Sequence, residues 1–128
     1  MSWVVVSWIA VAIAGALGAV ARFLVSQAAI RRLGTRLPWG TVLVNVSGAF
    51  AAGAIGGLLT EAVLPAELGR VVAGGFLGAY TTFSTAMVET LQLREHAGSA
   101  AAIAHLLAES LAALAAAGLG WWVVMLWT

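Results

Sequence analysis

Four apolar stretches fill this chain almost end to end, and they leave a lipid bilayer as the solvent in which it folds. They run over about 3–30, 39–64, 67–93 and 99–127 of its 128 residues. Each reaches the roughly 20 residues a helix needs to cross hydrocarbon. Hydrophobic residues make up 62% of the chain and charged residues 9%, against about 25% charged in soluble domains. The expectation is an all-α integral membrane protein, with residues 1–128 forming a single four-helix transmembrane domain. The first stretch does not read as a signal peptide: it lacks a basic leader, and its apolar run exceeds the roughly 7–15 residues of a signal core. The absence of cysteine excludes disulfides, thiolate catalysis and thiolate-bound metal. A net charge of +1 without a basic stripe leaves no nucleic-acid footprint. Four helices alone enclose little, so an aqueous pathway is expected between copies of the chain.

Along the chain, Gly15 and Gly18 lie among alanines in the first span, and Arg22 follows in apolar sequence. Arg31, Arg32 and Arg36 form the one cluster of positive charge in the next loop. Pro38 opens the second span, where its missing N–H is harmless. Ala49, Gly53 and Gly57 give that span a small-xxx-small face suited to close helix contact in lipid. A turn over 61–67, containing Pro65, leads to the third span, and residues 94–98 are expected to be the last loop. Trp121, Trp122 and Trp127 fit one interfacial belt, and Trp3 and Trp8 fit the belt at the start of the chain. Arg31, Arg32, Arg36 and Arg94 fall on one side and Arg70 on the other. The positive-inside rule places the two arginine-bearing loops in the cytoplasm and both ends of the chain outside.

The third span contains Gly74-Gly75-Phe76-Leu77-Gly78-Ala79-Tyr80-Thr81-Thr82-Phe83-Ser84-Thr85. Three glycines weaken a helix, and consecutive hydroxyl residues compete for its backbone groups. Irregular backbone at membrane depth is tolerated only where protein or a wet cavity surrounds it. This helix is therefore expected to break mid-membrane, where broken helices build ion and substrate sites.

Polar residues in apolar spans are functional candidates because lipid makes them costly. Arg22 either draws an anion inwards or snorkels to the interface. Asn45 either offers its amide N–H groups to an anion or ties two helices together. Glu89 lies about a turn and a half before Arg94 and belongs to a polar pathway or to a wet helix end. His105 and Glu109 stand at i, i+4 and can face each other, but with no third ligand in register they do not read as a metal site. Ser110 either joins them or bonds back to a carbonyl of its own helix. Phe83 packs, or presents the electropositive edge of its ring to an anion. No nucleophile–His–acid set, carboxylate pair or phosphate loop supports an enzyme.

Three motifs resemble the Fluc (CrcB) fluoride ion channels. They are Gly18-Ala-Val-Ala-Arg22-Phe23, then Pro38-Trp-Gly-Thr41-Val-Leu-Val-Asn45-Val-Ser-Gly48, then Gly75-Phe-Leu-Gly78-Ala-Tyr-Thr81-Thr82-Phe83-Ser84-Thr85. Length, span count and motif order agree, so the resemblance covers essentially the whole chain. It implies an antiparallel, dual-topology dimer in a bacterial plasma membrane, with two fluoride pathways built from both subunits. Asn45, Phe83, Thr82, Ser84, Thr41, Ser110, Arg22 and Glu89 would serve the ion pathway. The backbone carbonyls of Gly78 and Thr81 from both chains would hold a structural sodium ion at the dimer interface. Fluoride would leave the cell passively, driven by about 2.3 kcal/mol per charge per 100 mV.

The sequence departs from the family pattern at Ala86, where a second pore phenylalanine is usual, and the register of His105, Glu109 and Ser110 stays open. Ala86 and the uneven arginines also allow the chain to be one subunit of a heterodimer with an oppositely inserted relative. A small proton-coupled exporter of the multidrug type is a further reading, for which Glu89 and Glu109 are the available carboxylates. A non-transporting scaffold built on the small-residue faces is another, and it has no need of the glycine–hydroxyl segment.

Overall fold

A computed structural model describes residues 3–128. The side chain of Trp3, and with it that residue's place in an aromatic belt, lies outside the described residues. The described residues are all-helical, without strands, and four helices are long and apolar enough to span a membrane. The protein is thus a multi-pass membrane protein. Its large apolar side chains, among them Trp8, Leu17, Phe23, Leu114 and Trp127, face outwards, as they do when the surroundings are as apolar as the interior.

The first helix, α1 (Trp3–Leu33), runs three residues beyond the expected end. Arg31 and Arg32 occupy its last turn, where cations suit the negative end of the helix dipole. Gly34, at φ +82°, returns its N–H to Ile30 O at 3.0 Å, the left-handed ending that glycine adopts without a Cβ clash. The second helix, α2 (Trp39–Thr60), starts after Pro38 as expected but stops four residues short of 64. Its last turn closes when Glu61 N–H bonds Gly57 O, and Ala62 then adopts φ +55°, which no helix accommodates.

The third span is a succession of segments. Helix α3 (Ala66–Gly69) passes into a π-helical stretch (Arg70–Leu77), then into α4 (Gly78–Tyr80). The glycine run is thus wound into wider turns rather than interrupted, and Gly78 N–H reaches back to Ala73 O. Thr81 (φ −82°, ψ 162°) and Thr82 (φ −150°, ψ 124°) are extended, and α5 (Phe83–Ala97) begins after them. The last loop expected over 94–98 contracts to Gly98 alone. Residues 94–97 finish α5, Gly98 adopts φ 89° and ψ 167°, and α6 (Ser99–Met125) follows directly. That combination of angles is open to glycine and almost nothing else.

Helices α2 and α6 make the most extensive packing in the molecule, α1 lies against the π-helical stretch and α4, and α5 lies against α6. The small residues of α2 explain the first of these. A Cβ added to Gly53 would stand 1.9 Å from Ala117 O, and one added to Gly120 would stand 2.1 Å from Phe50 O. The two backbones therefore touch, which gains dispersion contacts that lipid does not match. Val44, nearer the start of α2, is fully buried. The next turn of α2 presents Gly48 to the third span, where a Cβ would stand 2.2 Å from Thr81 Cγ2. Only a bare backbone at 48 lets the extended threonines sit against α2.

Candidate functional site

The extended pair Thr81–Thr82 diverts the hydrogen bonds that a continuous helix would make. Thr82 N–H, which would bond Gly78 O, donates instead to Asn45 Oδ1 at 2.8 Å. Thr85 N–H, which would bond Thr81 O, donates to Thr82 Oγ1 at 3.2 Å. Thr82 is thereby the N-cap of α5, a role that hydroxyl residues fill at about 1 kcal/mol each. The carbonyls of Gly78 and Thr81 lose their helical donors together. Thr81 O faces the Arg22 guanidinium, whose Nη1 lies 3.4 Å away.

Asn45 is saturated from both ends. Its Nδ2 donates to Thr82 O at 2.9 Å and to Glu109 Oε1 at 2.7 Å. Its amide N–H groups thus point to protein acceptors on two other helices, the tie between helices weighed above. The register of α6 is decided by the same bond. Glu109 is only 7% exposed and touches Asn45, whereas Ser110 is exposed. The sequence pairs Glu109 with His105 at i, i+4 but does not place it on the ion pathway, where the resemblance names Ser110 instead. His105 Nε2 and Glu109 Oε2 lie 3.5 Å apart without a hydrogen bond, and both are buried without a partner.

Two cavities flank this knot. One, of about 260 Å³, is lined by Asn45, Thr82, Phe83, Ala86, Glu109 and Ser110. The other, of about 590 Å³, is lined by Arg36, Thr41, Thr85, Glu89, Gln92 and His96 among others. Thr82 Oγ1 donates to Thr85 Oγ1 at 3.0 Å, so the hydroxyls join the linings of the two. Thr41 is buried while Glu89 is half-buried with one oxygen unpartnered. Phe83 stands 78% exposed and Ser84 is exposed beside it, so both point away from the four-helix body. Ala86 is buried and occupies the cavity wall where a larger ring would project.

The sequence candidates therefore fall into groups. Asn45, Thr82, Phe83 and Ser110 share one cavity; Thr41 and Glu89 share the other; Arg22 and Ser84 line neither. Glu109 joins the first group. Among the described residues no group of three His, Asp or Glu could hold a metal ion.

The electrostatics at the extended pair are two-sided. The N-terminal end of α5 opens there with its positive dipole end, which favours anions, and the carbonyl end of α4 favours cations. Set against the first is Glu109. Two like charges 4 Å apart repel by about 4 kcal/mol at an effective dielectric of 20.

Among the described residues, amide, hydroxyl and carboxyl groups within spanning helices thus line two neighbouring cavities, the architecture of a polytopic membrane protein. The chain belongs to the CrcB family: the family described as CrcB-like protein, Camphor Resistance (CrcB), matches residues 9–121. The family is one of ion channels, not of enzymes. The fluoride-specific ion channel FluC 2 of Mycobacterium tuberculosis is 41% identical over 119 residues, covering 93% of this chain and 91% of that protein. The fluoride-specific ion channel FluC of Magnetococcus marinus is 41% identical over 116 residues, covering 90% and 93%. The FluC of Anaeromyxobacter dehalogenans is 46% identical over 108 residues, covering 84% and 86%.

Proposed function

We propose that this chain forms a passive, fluoride-selective channel that lowers cytoplasmic fluoride in a bacterial plasma membrane. The observation that carries the reading is its 41% identity, over nearly its whole length, to proteins named for that activity. The hydroxyl and amide seam between the cavities supports it. Fluoride must exchange its water for donors without being trapped; Thr82, Ser110 and the Phe83 ring edge line the cavity beside Asn45, Ser84 is exposed next to Phe83, and an anion would have to win the Asn45 N–H groups from Thr82 O and Glu109. Thr41 and Glu89 line the wider approach, and Arg22, outside both cavities and against Thr81 O, adds a positive charge near the step between them. The outward face of Phe83 supports a pathway completed by a second, antiparallel copy, with the Thr81–Thr82 step at membrane depth.

A structural sodium ion at the same step is part of this reading. Gly78 O and Thr81 O are the two carbonyls whose helical donors are diverted to side chains, and carbonyl oxygens suit a hard cation. Bound there with the carbonyls of the second copy, sodium would hold the helix ends together and would not be transported.

A heterodimer with an oppositely inserted relative is the second reading, favoured by the arginine distribution. Purified chain in fluoride-loaded liposomes, followed with a fluoride electrode, decides among the readings. Fast passive efflux, indifferent to a proton gradient, is expected from the chain alone. Efflux only with a second subunit gives the heterodimer, gradient-driven movement gives the exporter, and none gives the scaffold.

A further inference from the structure

We propose that Glu109 is a proton-binding gate on the anion pathway, so that passage through this chain is activated by acid. The proposal rests on the fluoride reading and adds its regulation. Three observations carry it. Glu109 is more than nine-tenths buried, it lines the cavity that also holds Phe83 and Asn45, and its Oε1 takes an amide N–H of Asn45 at 2.7 Å. Its other oxygen has no partner. As a carboxylate, Glu109 both repels an anion in this cavity and competes with it for the Asn45 donor. Hydrogen bonds to a charged acceptor are roughly twice as strong as those to a neutral one. Adding a proton to Oε2 forms a neutral acid. The repulsion disappears, the hold on Asn45 weakens, and the new O–H becomes a donor that the anion can accept.

The groups around Glu109 leave it as the residue through which this control acts. Helix α2 carries no ionisable side chain. Helix α5 contributes Glu89, half-buried and lining the neighbouring cavity, with Arg94, Glu95 and His96 in its last turns. On α6 itself His105 Nε2 stands 3.5 Å from Glu109 Oε2. From α1, Arg22 reaches the neighbouring Thr81 carbonyl. Of these groups Glu109 alone is hydrogen-bonded to Asn45. Both His105 and Glu109 lack partners for buried atoms, so a proton shared between them would also satisfy the pair.

The test is fluoride efflux from liposomes holding the full chain, with equal pH inside and out, stepped from pH 8 to pH 5.5. Protein-free vesicles provide the subtraction for undissociated HF crossing lipid. Wild-type efflux is expected to rise with acid, by at most about tenfold per pH unit for a single titrating site. Glu109→Gln is expected to be flat with pH and, at pH 7.5, to conduct faster than the wild type. Glu109→Ser serves as a second neutral variant should the first fail to fold. A conducting wild type with no pH dependence overturns the gate alone, as does a neutral variant that keeps the acid activation. Absence of efflux from every protein at every pH, alone and with an oppositely inserted relative, overturns the fluoride reading and the gate with it.

Discussion

The side chain of Asn45 and the backbone of Thr82 form a two-way hydrogen-bonded pair: Oδ1 accepts from Thr82 N–H at 2.8 Å, and Nδ2 donates to Thr82 O at 2.9 Å. The amide thus takes the place of two missing helical bonds. It holds the chain extended between α4 and α5, and its second N–H ties that point to Glu109 on α6.

Asn45→Asp removes both donors while keeping the shape. It sets a carboxylate against Thr82 O and against Glu109, whose oxygen lay 2.7 Å from the lost amide nitrogen. Unfolding in detergent is expected to become easier by about 3 kcal/mol, as when a buried polar pair is broken, and fluoride efflux is expected to vanish. An unchanged melting profile would show that the pair contributes nothing to stability.

Gly48→Ala places a methyl 2.2 Å from Thr81 Cγ2. The expected loss is about 1–3 kcal/mol from overpacking. Thr81→Ser removes the offending methyl and keeps the hydroxyl that donates to Leu77 O. In the double variant much of the loss should return, a coupling that a double-mutant cycle reads directly. Simple additivity would refute the contact.

Glycines in one region of the fold should differ sharply. Gly53→Ala meets the Ala117 carbonyl, which as backbone has nowhere to move, and should separate α2 from α6. Gly118→Ala meets nothing within 4 Å, and removing a glycine from a helix stabilises by up to about 1 kcal/mol. Yield and melting temperature of the two purified variants are the comparison; similar behaviour would contradict the packing described.

Ala86→Phe restores an aromatic ring to the wall of the cavity that holds Phe83 and Asn45. It is expected to raise the fluoride efflux rate of the folded protein several-fold, on the order of the tenfold that 1.4 kcal/mol represents, at a stability cost of about 1–3 kcal/mol from overpacking the buried position. Slower efflux would show that the alanine is the better fit.

Exchange of sodium for choline in the buffer is expected to lower the melting temperature of the assembled protein reversibly. The shift should grow with sodium concentration, about 2.7 kcal/mol at one hundred times the dissociation constant. A melting temperature insensitive to sodium would remove the cation from Gly78 and Thr81.

Much of this protein was determined by the order of its residues alone. Apolar length settles the four spanning helices, because no other backbone arrangement of that length satisfies its own hydrogen bonds in lipid. The small residues of α2 and the threonines after Tyr80 were visible for the same local reason: each acts through its own backbone. Tertiary structure decided what depends on helix rotation. The sequence could not say whether Glu109 or Ser110 faces Asn45, since one residue turns a helix by about 100°. Packing of bare glycine backbone in α2 against α6 fixed that angle and buried the carboxylate. Packing also decided that the glycine run would wind as a π-helical stretch while the threonines extended, because Asn45 offers Thr82 the partners its own helix does not.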